Sequence, residues 1–330
     1  MDRVTKRCSL CNSLAKLEYQ NMKGYIENSR FDIYSCTVCE ASFADPLKSD
    51  EKIYNYIYKQ AERVPGYERY FRFSKLAKKV INPLWYLCNA EGVYWSVREA
   101  LQKNFQEQKN ISILEVGSGL GYLTYSLNTA GYKTTGVDIS EDAILKAKKY
   151  YGDFYEVGNI FKLAEARIKK YDCVIMTEIV EHVEDPRGFI QACLSLLKSG
   201  GKLILTTPNK SATPAGTIWQ GDIPSVHLWF LAEKSILKMA ESLGRRCEFI
   251  DFTEYSRMYY TPSRVYSMDE IQSEAPRLSK NGQIFPGREA GRIKSFFFGL
   301  KVRYWLSYIR RRLKVKQVSH RTINLCAVLS

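Results

Sequence analysis

The stretch TEIVEHVEDP, residues 177–186, sets Glu178, Glu181 and His182 within five positions of one another. The six residues before it, YDCVIM (171–176), are apolar and β-branched and read as a buried strand. Only His182, His227 and His320 supply imidazoles in the 330-residue chain, so one of them directly beside two carboxylates calls for a chemical reason. An imidazole near its ordinary pKa can take a proton from a hydroxyl or an amine. If a helix begins at Thr177, Glu178, Glu181 and His182 fall on one face at i, i+3 and i+4. His182 is then a candidate general base, oriented by Glu181 or Glu178. A hydrogen-bonded histidine with a purely structural role is the alternative.

A second group lies upstream. ILEVGSGLGYL places Glu115, Gly117, Ser118, Gly119 and Gly121 at a strand-to-helix turn. Glycine there lets the backbone approach a ligand closely and adopt dihedrals closed to other residues. A dinucleotide loop is the first comparison, but the third glycine comes one position earlier than in GxGxxG. Glu115 also stands two positions before the first glycine, where it would repel a pyrophosphate and welcome a cation. Asp138, ending the strand KTTGVDI, is placed to accept hydrogen bonds from ribose hydroxyls.

A third group is CSLC followed, after 24 residues, by CTVC. Cys8, Cys11, Cys36 and Cys39 have zinc-ribbon spacing, and four thiolates fill a tetrahedral zinc with no open position. The site is expected to be structural, because a module of about 40 residues has too small a core to stand unaided. Cys88, Cys173, Cys193, Cys247 and Cys326 are scattered and read as free thiols.

These residues need a frame. From Asn110 the chain alternates strand and helix patterns: ISILEV, GYLTYSLNTAG, KTTGVDI, SEDAILKAKKYYG with Ser140 as N-cap and Gly152 at its end, FYEVGNI, YDCVIM, DPRGFIQACLSLLKSGG and KLILTTP. Alternation with short turns predicts an α/β, doubly wound parallel sheet covered on both faces. A helix over 233–243, then CEFIDF and TINLCAV, completes it. The expected organisation is a zinc ribbon (1–45), an aromatic-rich helical connector or lid (46–109), the core (110–254), a basic helical insertion (255–320) and a final core strand (321–330). The connector carries 11 aromatics between Ile53 and Trp95. They read equally as a pocket cover or as the core of a helical linker.

EVGSGLGYL, GVDIS, YDCVIMTEIVEHV and GGKLILTTPN resemble, in order and spacing, the motifs of class I S-adenosylmethionine-dependent methyltransferases. The resemblance implies a Rossmann-like seven-stranded sheet. It implies that Glu115, Gly117, Ser118, Gly119 and Gly121 hold the methionine part of the cofactor, and Asp138 and Ile139 the ribose. Asn159 replaces the usual Asp at the adenine amine and can still accept that bond; Ile160 and Thr177 complete the implied cofactor set. ExxEH with a later histidine, here His227, is similar to the metal-binding set of small-RNA 2′-O-methyltransferases and ubiquinone-biosynthesis O-methyltransferases. That set would hold Mg²⁺ or Mn²⁺ against acceptor oxygens. The ribbon, aromatic connector and core together resemble bacterial enzymes that methylate sugars of surface polysaccharides or antibiotics. The expected acceptor is therefore a hydroxyl of a small molecule, a sugar or a lipid-linked glycan. The alternative is an RNA methyltransferase using the ribbon and insertion to bind RNA; TEIV stands where an NPPY-type tetrapeptide would grip a base amine, which favours oxygen chemistry over nucleic acid.

Composition is that of a globular protein, with 45% apolar and 25% charged residues and no apolar run of about 18. MDRVTKRCSLC lacks the apolar stretch of a secretory leader, so the expectation is a cytoplasmic enzyme. The net charge of +14 is concentrated: residues 254–321 hold 15 Lys/Arg against 5 Asp/Glu, and no acid follows Glu289. On a helix over 296–316, Phe298, Val302, Trp305, Leu306, Ile309 and Leu313 share one face, flanked by Lys301, Arg303, Arg310, Arg311, Arg312 and Lys314. That pattern fits peripheral contact with an anionic inner membrane face, or a stripe packed on the sheet. His320 is expected to be exposed.

Overall fold

A computed structural model describes residues 5–49, 51–60, 62–64, 67–106, 108, 110–166, 170–214, 216–219, 223–259, 265–285, 309 and 321–330. Residues 296–316, apart from 309, and His320 lie outside them. Among the described residues no helix is long and apolar enough to cross a membrane.

Four antiparallel strands open the chain: β1 (Thr5–Arg7), β2 (Leu14–Lys23), β3 (Arg30–Cys36) and β4 (Ser42–Asp45). Helices α1 (Glu51–Lys59), α2 (Glu68–Leu76), α3 (Pro83–Ala90) and α4 (Gly92–Phe105) follow. Asn82 caps α3 by accepting from Trp85 N at 2.9 Å, and Pro83 stands where no backbone donor is needed.

The core alternates as its patterning requires. Strands β5 (Ser112–Val116), β6 (Lys133–Asp138), β7 (Tyr155–Val157), β8 (Tyr171–Thr177) and β9 (Leu197–Pro208) are parallel, separated by helices α5 (Tyr122–Thr129), α6 (Glu141–Tyr151), α7 (Ile160–Glu165) and α8 (Pro186–Ser195). Strand β9 begins earlier than the sequence pattern suggests, because α8 stops at Ser195 and Leu197 already pairs with Tyr171; the strand passes through Gly200 and Gly201.

Two short strands follow, β10 (Thr217–Trp219) and β11 (Trp229–Phe230), then α9 (Glu233–Ser242), β12 (Cys247–Phe249) and α10 (Thr253–Tyr259). The described part of the basic insertion holds β13 (Val265–Ser267), paired with β10, and α11 (Met268–Glu274). The chain closes on β14 (Asn324–Leu329). The main sheet has seven strands in the order β12-β14-β9-β8-β5-β6-β7, with β14 antiparallel to both neighbours. The order reverses direction at β5, between β6 and β8. Ligands of doubly wound sheets bind at that switch point, outside the carboxyl ends of the strands.

The cysteine module does not stand apart. Strand β11, from the core half of the chain, adds to β4 and makes a five-stranded sheet, with Trp229 opposite Phe43. One buried apolar cluster contains Cys8, Tyr34 and Phe43 together with Val174, Met176 and Trp229. The amino group of Lys210 donates to Ser42 Oγ (2.6 Å), Ser35 Oγ (3.1 Å) and the Glu40 carbonyl (3.2 Å).

Candidate functional site

The β5–α5 loop is shaped by its glycines. Gly117, Gly119 and Gly121 all have positive φ, at 73°, 49° and 78°. A Cβ on Gly117 would lie 2.4 Å from Ile179 Cδ1, and one on Gly121 would lie 2.7 Å from both Ala147 Cβ and Tyr155 Cε1. Any other side chain would push the loop off both neighbours. Asp138 braces the same loop: Oδ2 accepts from Gly119 N and Oδ1 from Ser140 N, both at 2.8 Å. Burial holds its pKa above the ordinary value in spite of those bonds. Glu115 is buried and accepts from Thr124 Oγ1, and desolvation pushes it up to about 8.

The residues fit the implied cofactor. Two carboxylates face the loop, and a cation with ribose hydroxyls would satisfy them. Ser118 Oγ is buried with no hydrogen-bond partner, which suits a loop that finds its partner on a ligand. Ile139, beyond Asp138, keeps 53% of its surface exposed although it is apolar. Asn159 Oδ1 accepts from Phe161 N at 2.9 Å, so the oxygen matched to the adenine amine also caps α7. Ile160 is buried beneath that cap, and Thr177 ends β8 opposite Thr206.

The helix expected from Thr177 is absent. Strand β8 ends there, Glu178 turns the chain with φ 55°, and a tight turn follows in which His182 N donates to the Ile179 carbonyl at 2.9 Å. The helix begins only at Pro186, capped by Asp185. Consequently Glu178 does not share a face with the other two. Its carboxylate accepts from Thr206 Oγ1 (3.1 Å) and Asn324 Nδ2 (3.3 Å), and burial pushes it up to about 7.

Glu181, His182 and His227 do meet, their ligating atoms all within 4.8 Å of one another. Glu181 is 1% exposed and accepts from Thr207 Oγ1 at 2.9 Å. His182 Nδ1 lies 2.7 Å from the Val226 carbonyl, an acceptor only, which favours the tautomer protonated at that nitrogen; the Glu178 carbonyl also approaches the ring. Nε2 sits 3.7 Å from Glu181 Oε1. The His227 ring packs edge-on against His182 with centroids 4.5 Å apart. Desolvation lowers both imidazoles, so they are neutral at pH 7. Two neutral imidazoles and a carboxylate are a donor set for Mn²⁺ more than for Mg²⁺, which prefers oxygen.

Several parts of this site carry no motif. Thr206 and Thr207 at the end of β9, Asn324 on β14 and the Val226 carbonyl position the acidic residues and His182. The run TTP marked only a strand end. Arg69 on α2 pairs with Glu91 at 3.1 Å and donates to the Tyr70 hydroxyl at 2.7 Å; its charge reaches both Glu178 and His227. Of the connector's aromatics, Phe73, Tyr86, Tyr94 and Trp95 pack in a buried apolar cluster with the sheet, whereas Tyr54 meets the His182 ring.

The four N-terminal thiols converge as their spacing requires. Their Sγ atoms lie within 4.8 Å, with Cys8–Cys39 at 3.6 Å and Cys11–Cys36 at 3.5 Å. Zinc–sulfur bonds of about 2.3 Å set tetrahedral edges near 3.8 Å, so the cluster fits zinc. Asn12 and Glu40, each directly after a CxxC pair, take positive φ of 60° and 62° and turn the chain back. The other five cysteines are free.

A Rossmann-like sheet with this strand order, an acidic-flanked glycine loop at the switch point and Asp138 on the next strand define the class I methyltransferase architecture. Residues 91–248 match the family model described as "Methyltransferase domain", and this segment is a class I S-adenosylmethionine-dependent methyltransferase domain. The chain is 36% identical over 114 residues to a ubiquinone biosynthesis O-methyltransferase of Xanthomonas axonopodis pv. citri, covering 33% of this chain and 47% of that protein. It is 31% identical over 152 residues to the human mitochondrial enzyme of that name, covering 41% of each. The match thus spans less than half the length of either relative. Among solved structures, a SAM-dependent methyltransferase from Archaeoglobus fulgidus aligns with 71% of this chain and 92% of its own at 15% identity and a TM-score of 0.41.

Proposed function

We propose that the chain transfers a methyl group from S-adenosylmethionine to a hydroxyl of a small molecule, with a sugar or lipid-linked glycan as the favoured acceptor. The observation that carries this reading is the meeting, at the carboxyl ends of the adjacent strands β5 and β8, of the cofactor loop and the Glu181–His182–His227 cluster: Ile179, in the turn that presents His182, packs on Gly117. The names of the curated relatives, O-methyltransferases, support oxygen as the acceptor atom.

Bound at this loop, S-adenosylmethionine supplies an electrophilic sulfonium methyl group. Glu115 would favour the positive charge of the cofactor, and Asp138 would hold its ribose. His182 Nε2 takes the hydroxyl proton as the acceptor oxygen forms its bond to the methyl carbon and the carbon–sulfur bond breaks. Burial pushes His182 down to about 4. An unassisted hydroxyl is far too weak an acid to be ionised beforehand by such a base, so the proton leaves with methyl transfer and not ahead of it. A divalent cation on Glu181, His182 and His227 would acidify the hydroxyl instead, and the three convergent ligand atoms favour this as the second reading.

Calorimetry tests the assignment. S-adenosylhomocysteine should bind in the micromolar range and Asp138→Ala should lose it; tight NAD binding with no S-adenosylhomocysteine binding would overturn the reading. Methyl transfer to activated sugars and lipid-linked glycans, with RNA as the competing acceptor, then tests the substrate. Docking of 296–316 on an anionic membrane belongs to the same proposal. Sedimentation with anionic liposomes at low salt, weakened in Trp305→Glu, is its expected mark.

A further inference from the structure

Helix α1 carries one side chain that the reading above does not use. Ile53 and Ile57, on one face of α1, are fully buried against Met22, Ile33 and Ile271, which fixes the helix on the cysteine-rich sheet. Tyr54 turns from that face toward the methyltransferase edge. Its ring meets His182 edge-on with centroids 6.0 Å apart. At the other end, Lys59 pairs with Asp142 at 3.7 Å, in the first turn of the helix that follows Asp138. Helix α1 therefore reaches from His182 to the first turn of α6.

Its hydroxyl is buried and has no hydrogen-bond partner among the described residues. A buried phenol without a partner gives up its bonds to water and gains nothing in return. The charged groups that act on it are the carboxylates of Glu181 and Asp138, and with burial they hold the phenol protonated. The group facing the site is thus a fixed donor in need of an acceptor.

We propose that the Tyr54 hydroxyl is a cofactor contact, donating a hydrogen bond to an oxygen of bound S-adenosylmethionine, so that α1 closes over the cofactor beside His182. This rests on the cofactor assignment made above. The cofactor, and not the methyl acceptor, is the partner because α1 docks on the β6–α6 junction, where Asp138 would take the ribose.

The test is Tyr54→Phe, which keeps the ring and removes only the donor, read by calorimetry with S-adenosylhomocysteine and by thermal unfolding with and without it. The apo variant should unfold at the wild-type temperature or higher, because the unpaired hydroxyl is gone. Its affinity for S-adenosylhomocysteine should fall about tenfold, the loss expected for one hydrogen bond, and the ligand-induced rise in unfolding temperature should shrink with it. Unchanged affinity in Tyr54→Phe, with the wild type binding normally, overturns the inference and leaves the cofactor assignment intact. A destabilised apo variant also overturns it, since the hydroxyl would then have a partner within the protein. A wild type that ignores S-adenosylhomocysteine removes the cofactor assignment itself.

Discussion

His182 Nδ1 donates to the backbone carbonyl of Val226 at 2.7 Å, and this bond decides what the imidazole can do. It fixes the tautomer, turns Nε2 toward Glu181 and His227, and ties the candidate base to the segment that leads into β11. A side-chain acceptor in place of this carbonyl could itself be titrated or swapped; a main-chain oxygen is present whatever residue stands at 226.

His182→Ala should therefore lower turnover by about two orders of magnitude or more while S-adenosylhomocysteine affinity changes little, as expected for a group acting in the chemical step. The cation reading separates from the metal-free one by electron paramagnetic resonance of added Mn²⁺. If the cluster holds a metal, the wild type and Glu178→Gln should both bind Mn²⁺ and His227→Ala should not, because the Glu178 carboxylate is engaged with Thr206 and Asn324. Full activity in a chelator, with no Mn²⁺ signal, would leave His182 as a base alone.

Glu115 predicts an unusual pH response. Its folded-state pKa, raised to about 8 by burial, lies above the ordinary carboxylate value of 4.5. Between those limits the folded protein holds a proton that the unfolded chain has released. Apo stability should then fall as pH rises through about 8, by a few kcal/mol at most. Glu115→Gln should flatten that slope in thermal unfolding between pH 6 and 9. Cofactor binding has the opposite sign: a cationic ligand favours ionised Glu115, so wild-type affinity should rise with pH up to about 8, and the Gln variant should be both weaker and pH-insensitive.

Zinc removal should reach the acceptor site. The structure pairs Phe43 with Trp229, and Trp229 N and Leu228 N both donate to the Glu181 carbonyl at 3.0 and 2.9 Å. Cys36→Ser, or chelation, should lower the unfolding temperature and cut methyl transfer sharply. S-adenosylhomocysteine affinity should stay within a few-fold of normal, since the cofactor loop is braced by Asp138 and not by the ribbon. Elemental analysis showing one zinc per chain is the companion measurement; unaltered turnover in a zinc-free protein would refute the coupling.

The sequence by itself determined the alternation that makes the sheet, the glycine loop with Glu115, Asp138 on the next strand and the four cysteines. Each of these depends on residue types at short, fixed spacing, and local periodicity and backbone conformation read such spacing directly. Only the tertiary structure decided how Glu178, Glu181 and His182 divide. Helical spacing put all three on one face, but the positive φ at Glu178 ends that pattern and sends its carboxylate to Thr206 and Asn324. The resemblance at ExxEH pointed to His227 as the partner of His182, but only the fold brought the Val226 carbonyl to Nδ1 and joined β11 to β4. Those two contacts bridge long stretches of chain through main-chain carbonyls and amides, groups nearly every residue possesses, so no pattern of side chains could announce them.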